Sequence, residues 1–236
     1  MKKNFLILII MLFFAVNANS ESIDVRHFLL CPSVNGVSGF AYVPSAYVLP
    51  SNVLSLGLHK FEFEVNYGLF EMFEAGLYFD FSYSSNFIDI LKEGRFNVKS
   101  RFLNEDTHFV SIAAGIQQCP LNVFDKIQDE DFNLYFVVSK KINNVNVTIG
   151  IERNLTGLDR EITDVGFISG ISMVIYDTIL LVAEYERDIY NVGLKIGMNS
   201  NITIDFFIKD TDRIGMTSSF GDFLKNYFIF GINYIQ

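Results

Sequence analysis

Residues 178–210 read as three successive strands, and across the second and third of them apolar side chains recur at every second position. Val192, Leu194 and Ile196 fall on one side of the chain, and Asn191, Gly193, Lys195 and Gly197 on the other. Further on, Ile202, Ile204, Phe206 and Ile208 oppose Asn201, Thr203, Asp205 and Lys209. A period of two is the signature of a strand, and a joint as short as residues 198–200 makes neighbouring strands antiparallel. The same period runs through most of the chain. Leu54, Leu56 and Leu58 oppose Ser55, Gly57 and His59 within residues 53–63, and Phe73, Ala75, Leu77, Phe79 and Phe81 oppose Glu74, Gly76, Tyr78 and Asp80. Rows of the same kind occupy residues 96–102, 110–116, 132–138, 145–152 and 227–235. Residues 165–175 alternate less cleanly, because Phe167, Ile171 and Met173 share their run with Ile168 and Val174. This gives eleven strands and a candidate twelfth at residues 39–47, which Pro44 would break. No helical period of useful length survives beyond a single turn at residues 121–127, so the class is all-β.

Two environments reward one bulky apolar face and one polar face: a protein core with water outside, or lipid outside with a wet interior. The apolar rows are nearly free of charge for four or five positions, and the opposite rows are rich in Gly, Ser, Asn and mixed charge. Short joints alternate with long ones, such as residues 82–94, 117–131, 153–164 and 211–226, with a tight exception at Arg187-Asp188. Short turns at one end and long loops at the other is the outer-membrane arrangement. The expected fold is therefore an antiparallel up-and-down transmembrane β-barrel of about 12 strands, within a range of 10–14. Its even count is reached by adding the segment at residues 36–50, either as a further strand or as a piece entering the lumen. A secreted or periplasmic β-sandwich is the alternative that the alternation also allows.

The N-terminus bears on this choice. Lys2 and Lys3 precede an apolar run at residues 5–16 and the small-residue site Ala18-Asn19-Ser20, the layout of a secretory signal peptide. The expected organisation is a signal peptide at 1–20, a lead segment at 21–35 and a single barrel domain at 36–236. Cleavage would remove two of the 18 basic residues and none of the 27 acidic ones, moving the net charge from −9 to −11. That balance argues against nucleic acid as a partner. The expected partners are outer-membrane lipid and the barrel-assembly machinery, in the outer membrane of a Gram-negative envelope. Cys31 and Cys119 permit one disulfide and show no metal-ligand spacing.

Several residues have a familiar arrangement. Gly36 and Gly39, followed by Pro44-Ser45-Ala46, resemble the lead motif of the YjbH-like family of outer-membrane barrels. Tyr67-Gly68-Leu69-Phe70 with Glu74-Ala75-Gly76-Leu77 resembles its first hairpin. Ala183-Glu184-Tyr185-Glu186, with Asp188 and Tyr190-Asn191-Val192-Gly193, resembles its late hairpin, except that Glu186-Arg187 replaces the usual Asp-Gly. The resemblance implies a porin-like Gram-negative barrel, short for its family, with polysaccharide-export components as partners and no catalytic residue to carry over.

The candidates for lining the lumen are Glu74, Asp80, Lys99, Arg101, Glu152, Glu184, Glu186, Asn191, Lys195, Asp205 and Lys209. A mixed set of charges in a narrow interior is expected to form ion pairs, since unpaired charge there is costly. Twelve strands lie between the filled eight-stranded barrel and the open sixteen-stranded one, so a narrow or plugged pore is expected. His27, His59 and His108 lie in no nucleophile–base motif, and Glu184 with Glu186 reads as lumen charge rather than a glycosidase pair. No catalytic site, cofactor or metal is expected.

Overall fold

The computed structural model describes residues 25–82, 86–121, 131–156, 165–216 and 219–236. Twelve antiparallel strands close into a single barrel. In chain order they are β1 (Leu54–His59), β2 (Glu62–Leu69), β3 (Phe73–Asp80), β4 (Arg95–Leu103), β5 (Ser111–Pro120) and β6 (Asp131–Ile142). The second half comprises β7 (Val145–Thr156), β8 (Val165–Ile175), β9 (Ile179–Glu186), β10 (Ile189–Gly197), β11 (Ile202–Ile208) and β12 (Phe228–Ile235). Each strand pairs with its sequence neighbours, and β1 pairs with β12 through Ser55–Ile235 and His59–Gly231 to close the seam. Closure leaves no sheet edge, and it excludes the two-sheet sandwich.

The alternation becomes a division of the wall into two faces. On β8, Ile171 is 50% exposed while Ser172 is 1% exposed. Leu77, Phe136, Ile149, Phe167, Val192, Phe230 and Ile232 are likewise exposed, whereas Ser55, Asn97, Ser139, Thr148, Thr203 and Asn233 are buried. The outside is thus apolar, and the inside mixes polar and charged positions with an apolar patch on β5, β6, β8, β9 and β11.

Twelve strands are reached by a different route from the one the alternation suggests. The run at 53–63 is not one strand: the chain turns at Lys60, which has φ 56°, and Glu62 begins β2. The candidate strand at residues 39–47 is absent from the wall, since β12 pairs with β1 instead, and the segment takes the other expected placement, inside the lumen. The added strand shifts the parity of every later connection. Turns at 70–72, 104–110, 143–144, 176–178 and 198–201 share the barrel end from which β1 starts and at which β12 finishes. The longer connections lie at the opposite end, with the tight Lys60-Phe61 and Arg187-Asp188 turns. Tyr176-Asp177 and Arg187-Asp188 carry positive φ at both positions, the geometry of type I′ hairpin turns.

Residues 28–49 occupy the barrel interior. A short helix, α1 (Val25–Leu30), leads into two tight reversals marked by the bridges Pro32–Ser38 and Gly39–Pro44. Phe28, Leu29, Phe40, Val43 and Ala46 pack with inward-facing Ala113, Tyr135, Val137, Ile168, Val174, Leu180, Val182 and Phe207. This is why β8 alternates poorly: Ile168 and Val174 meet the interior segment while Phe167 and Ile171 face out. The segment satisfies part of its own backbone, with Ser33 N donating to Val37 O (2.8 Å), Val34 N to Ala41 O (2.7 Å) and Phe40 N to Val43 O (3.0 Å). Two short helices, α2 (Phe87–Lys92) and α3 (Phe220–Asn226), cap the long-loop end. The helical turn expected at 121–127 lies almost wholly outside the described residues, and the proposed signal segment entirely so.

Candidate functional site in the barrel interior

The backbone groups that the interior segment does not satisfy itself are met by charged wall side chains. Glu74 and Lys99 are directly paired residues of β3 and β4 and lie 3.7 Å apart. Glu74 accepts from Ser38 N (2.8 Å), Ser38 Oγ (2.7 Å) and Leu49 N (3.1 Å). Lys99 donates to Ser38 O (2.8 Å), Ser45 O (3.4 Å) and the Ser38 hydroxyl. The pair clasps the second reversal from both polarities, which meets the requirement that buried charges be matched by hydrogen bonds.

On the other side of the barrel, Glu184 of β9 faces the loop tip. It accepts from Ala41 N (3.1 Å), Tyr42 N (2.9 Å) and Val43 N (3.1 Å), and from the side-chain amide of its cross-strand neighbour Asn191 (2.9 Å). Three successive N–H groups converging on one carboxylate form a backbone nest.

A third cluster spans the seam. His59 on β1 reaches Glu64 on β2 (3.0 Å) through Nδ1 and Asp205 on β11 (3.1 Å) through Nε2. Carboxylate oxygens only accept, so His59 donates from both nitrogens. To reach Asp205 the imidazole crosses β12, and it does so over Gly231, whose hypothetical Cβ would stand 2.1 Å from His59 Cδ2. Asn233 donates to Asp205 (2.8 Å), and Lys195 lies 3.8 Å from the same carboxylate. Lys195 also donates to Gly39 O (3.1 Å) and Phe28 O (3.4 Å), tying the seam to the interior segment. Cys31 packs against Thr203 in this cluster, 3.1 Å between Sγ and Oγ1. Burial pushes the Cys31 thiol up to about 12, against the pull of Lys195. Cys31 and Cys119 are not bonded to each other.

Glu152 pairs with Arg187 at 2.6 Å toward the long-loop end. There Tyr42 lines a cavity of about 320 Å³ together with Glu62, Glu186, Arg187 and Lys209. The Lys209 ammonium sits 4.6 Å from the Tyr42 ring centroid, and burial, with Glu62 adding, raises the Tyr42 hydroxyl above its ordinary value. Among the described residues, no group of three or more His, Cys, Asp or Glu side chains could hold a metal.

Of the eleven residues picked out by alternation, the structure brings Glu74, Lys99, Glu152, Glu184, Asn191, Lys195 and Asp205 into the buried interior. Glu186 and Lys209 line the mouth. Asp80 and Arg101 stay at the rims: Asp80 accepts from Ser82 N (2.7 Å), and Arg101 donates to Glu71 O (2.7 Å). The interior residues that alternation missed are chiefly Glu62, Glu64 and Asn66. Their signal was present, since Glu62, Glu64, Asn66 and Gly68 alternate with Phe63, Val65, Tyr67 and Leu69. A turn without Gly, Pro or Asn at Lys60-Phe61 concealed it.

No protein-family model matches the chain, and no curated protein matches it. Solved porins from Rhodopseudomonas blastica are similar in outline. An engineered triple mutant is 13% identical with a TM-score of 0.35, and covers 74% of this chain and 55% of its own. A structure described as "Asymmetric conductivity of engineered proteins" is 12% identical with a TM-score of 0.36 and the same coverage. The chain therefore spans about half the length of the structures it matches.

Proposed function

We propose that this chain is an outer-membrane-type barrel protein whose lumen is closed at rest by its own residues 28–49: a stoppered conduit rather than an open pore. The observation that carries the reading is the pairing of an apolar exterior with a filled interior. An exterior of exposed Leu, Ile, Val and Phe on nearly every strand exceeds what water-soluble proteins leave uncovered, and lipid is the solvent that suits it. Exposed Phe70, Phe109, Tyr176 and Met198 sit at the short-turn rim, where amphipathic and aromatic residues favour a membrane–water interface. Short turns and both barrel ends of the chain lie together, in keeping with an internal side facing the periplasm. The alternating aromatic strand β12 is the natural element for the barrel-assembly machinery to engage. A place in envelope or exopolysaccharide export rests on the sequence resemblance alone.

The test is reconstitution. The full-length chain should stay with membranes until detergent is added, migrate faster unboiled than boiled on gels, and pass no steady current in a planar bilayer. Steady porin-like conductance from the unmodified chain would refute closure. Recovery in a soluble fraction without detergent would refute the membrane reading itself.

A further inference from the structure

Among the described residues, five carboxylates are buried in the barrel interior: Glu64, Glu74, Glu152, Glu184 and Asp205. Four of them stand against a cation of the wall or its turns. Glu64 and Asp205 share His59, and Asp205 also has Lys195. Glu74 has Lys99, and Glu152 has Arg187. Glu184 differs. Among the described residues its partners are the Asn191 amide and three backbone N–H groups, all three belonging to residues 41–43 of the interior segment. Its charge is compensated by the stopper, whereas the other four are compensated by the barrel.

We infer that Glu184 is the residue that sets the ion preference of the lumen when the interior segment is displaced, and that this preference is for cations. The inference rests on the reading that the segment closes a conduit. Displacement strips Glu184 of three of its four donors and leaves a carboxylate facing the lumen beside a neutral amide, while the remaining interior charges stay paired on the wall. A single uncompensated carboxylate in a narrow, low-dielectric passage attracts cations and repels anions. Glu62 and Glu186 at the mouth, facing Lys209 there, act in the same direction.

The segment can be loosened without altering a wall charge. A Cβ at Gly39 would lie 2.5 Å from Val43 O and 2.9 Å from Pro44 Cα, both backbone, so Gly39→Val prevents the second reversal from closing. Ala41→Pro is an independent route, removing one donor to Glu184. Full-length variants that retain heat-modifiable migration are inserted in planar bilayers under a potassium chloride gradient, and the reversal potential is read. Gly39→Val or Ala41→Pro should conduct with potassium favoured over chloride. Adding Glu184→Gln should cut that ratio about 25-fold, because one unit charge at ~4 Å in water favours a cation about fivefold and disfavours an anion by the same factor, with conductance retained. If both loosening variants fail to fold, sub-denaturing urea applied to the otherwise unmodified chain, with and without Glu184→Gln, gives the same readout. Conduction without cation preference, or a preference that Glu184→Gln leaves unchanged, overturns the assignment of Glu184 and leaves the closed conduit standing. Folded variants that never conduct overturn both.

Discussion

At the residue scale, the barrel interior is organised by where a side chain is missing as much as by where a charge is present. His59 can bridge Glu64 and Asp205 only because Gly231, its direct partner across the seam, offers no Cβ. Gly231→Val should therefore destabilise the barrel by about 1–3 kcal/mol, the usual cost of overpacking. Gly221 is the contrast: a Cβ there meets only Ser219 Oγ at 3.7 Å, so Gly221→Ala in α3 should be neutral or gain up to about 1 kcal/mol. Asp205→Ala leaves His59 and Lys195 buried without their shared carboxylate and should cost about 3–5 kcal/mol. Urea titration of the folded, heat-modifiable form measures all three. Equal midpoints for Gly231→Val and Gly221→Ala would show that the His59 bridge does not constrain the seam.

At the element scale, the strands were legible, and of the interior segment the place was legible but not the conformation: residues 36–50 read as a further strand or a piece entering the lumen, and they enter the lumen. Alternation placed Glu74, Lys99, Glu184, Lys195 and Asp205 on the inward face, because one face of a strand repeats every second residue whatever covers it. The segment at 28–49 has no such repeat. Its conformation follows from Pro32, Pro44 and Pro50, the left-handed Gly36 and partners that are 25 to 172 residues away, all invisible to a local pattern. Its prolines argue against a regular strand, and the lumenal placement is the one of the two alternatives that the structure takes. The missing strand was β2, hidden because Lys60 takes a left-handed conformation usually left to Gly or Asn. The location of the segment predicts a chemical behaviour. In a Cys119→Ser background, Cys31 is buried against Thr203 and its raised thiol stays protonated at neutral pH, so maleimide labelling should be negligible in the native barrel and complete after denaturation. Rapid native labelling would place residues 28–49 outside the lumen.

For the whole molecule, the proposed function puts lipid against the outward rows and protein, rather than a water column, against the inward rows. Each depends on the other. A filled interior suits a polar wall only if the segment supplies partners for Glu74, Glu184, Lys99 and Lys195, and an apolar exterior of this extent suits the membrane that the proposed function requires. The chain contains no tryptophan, so a single introduced one reports without background. Phe136 is 43% exposed on the outer face of β6, and its neighbour Tyr135 is 4% exposed on the inner face. The most direct measurement is fluorescence quenching by bromine on the acyl chains of the host bilayer, compared for Phe136→Trp and Tyr135→Trp. Strong quenching at 136 and almost none at 135 is the predicted result. Equal quenching at both positions, or none at either, would contradict a lipid-embedded barrel with a protein-filled lumen.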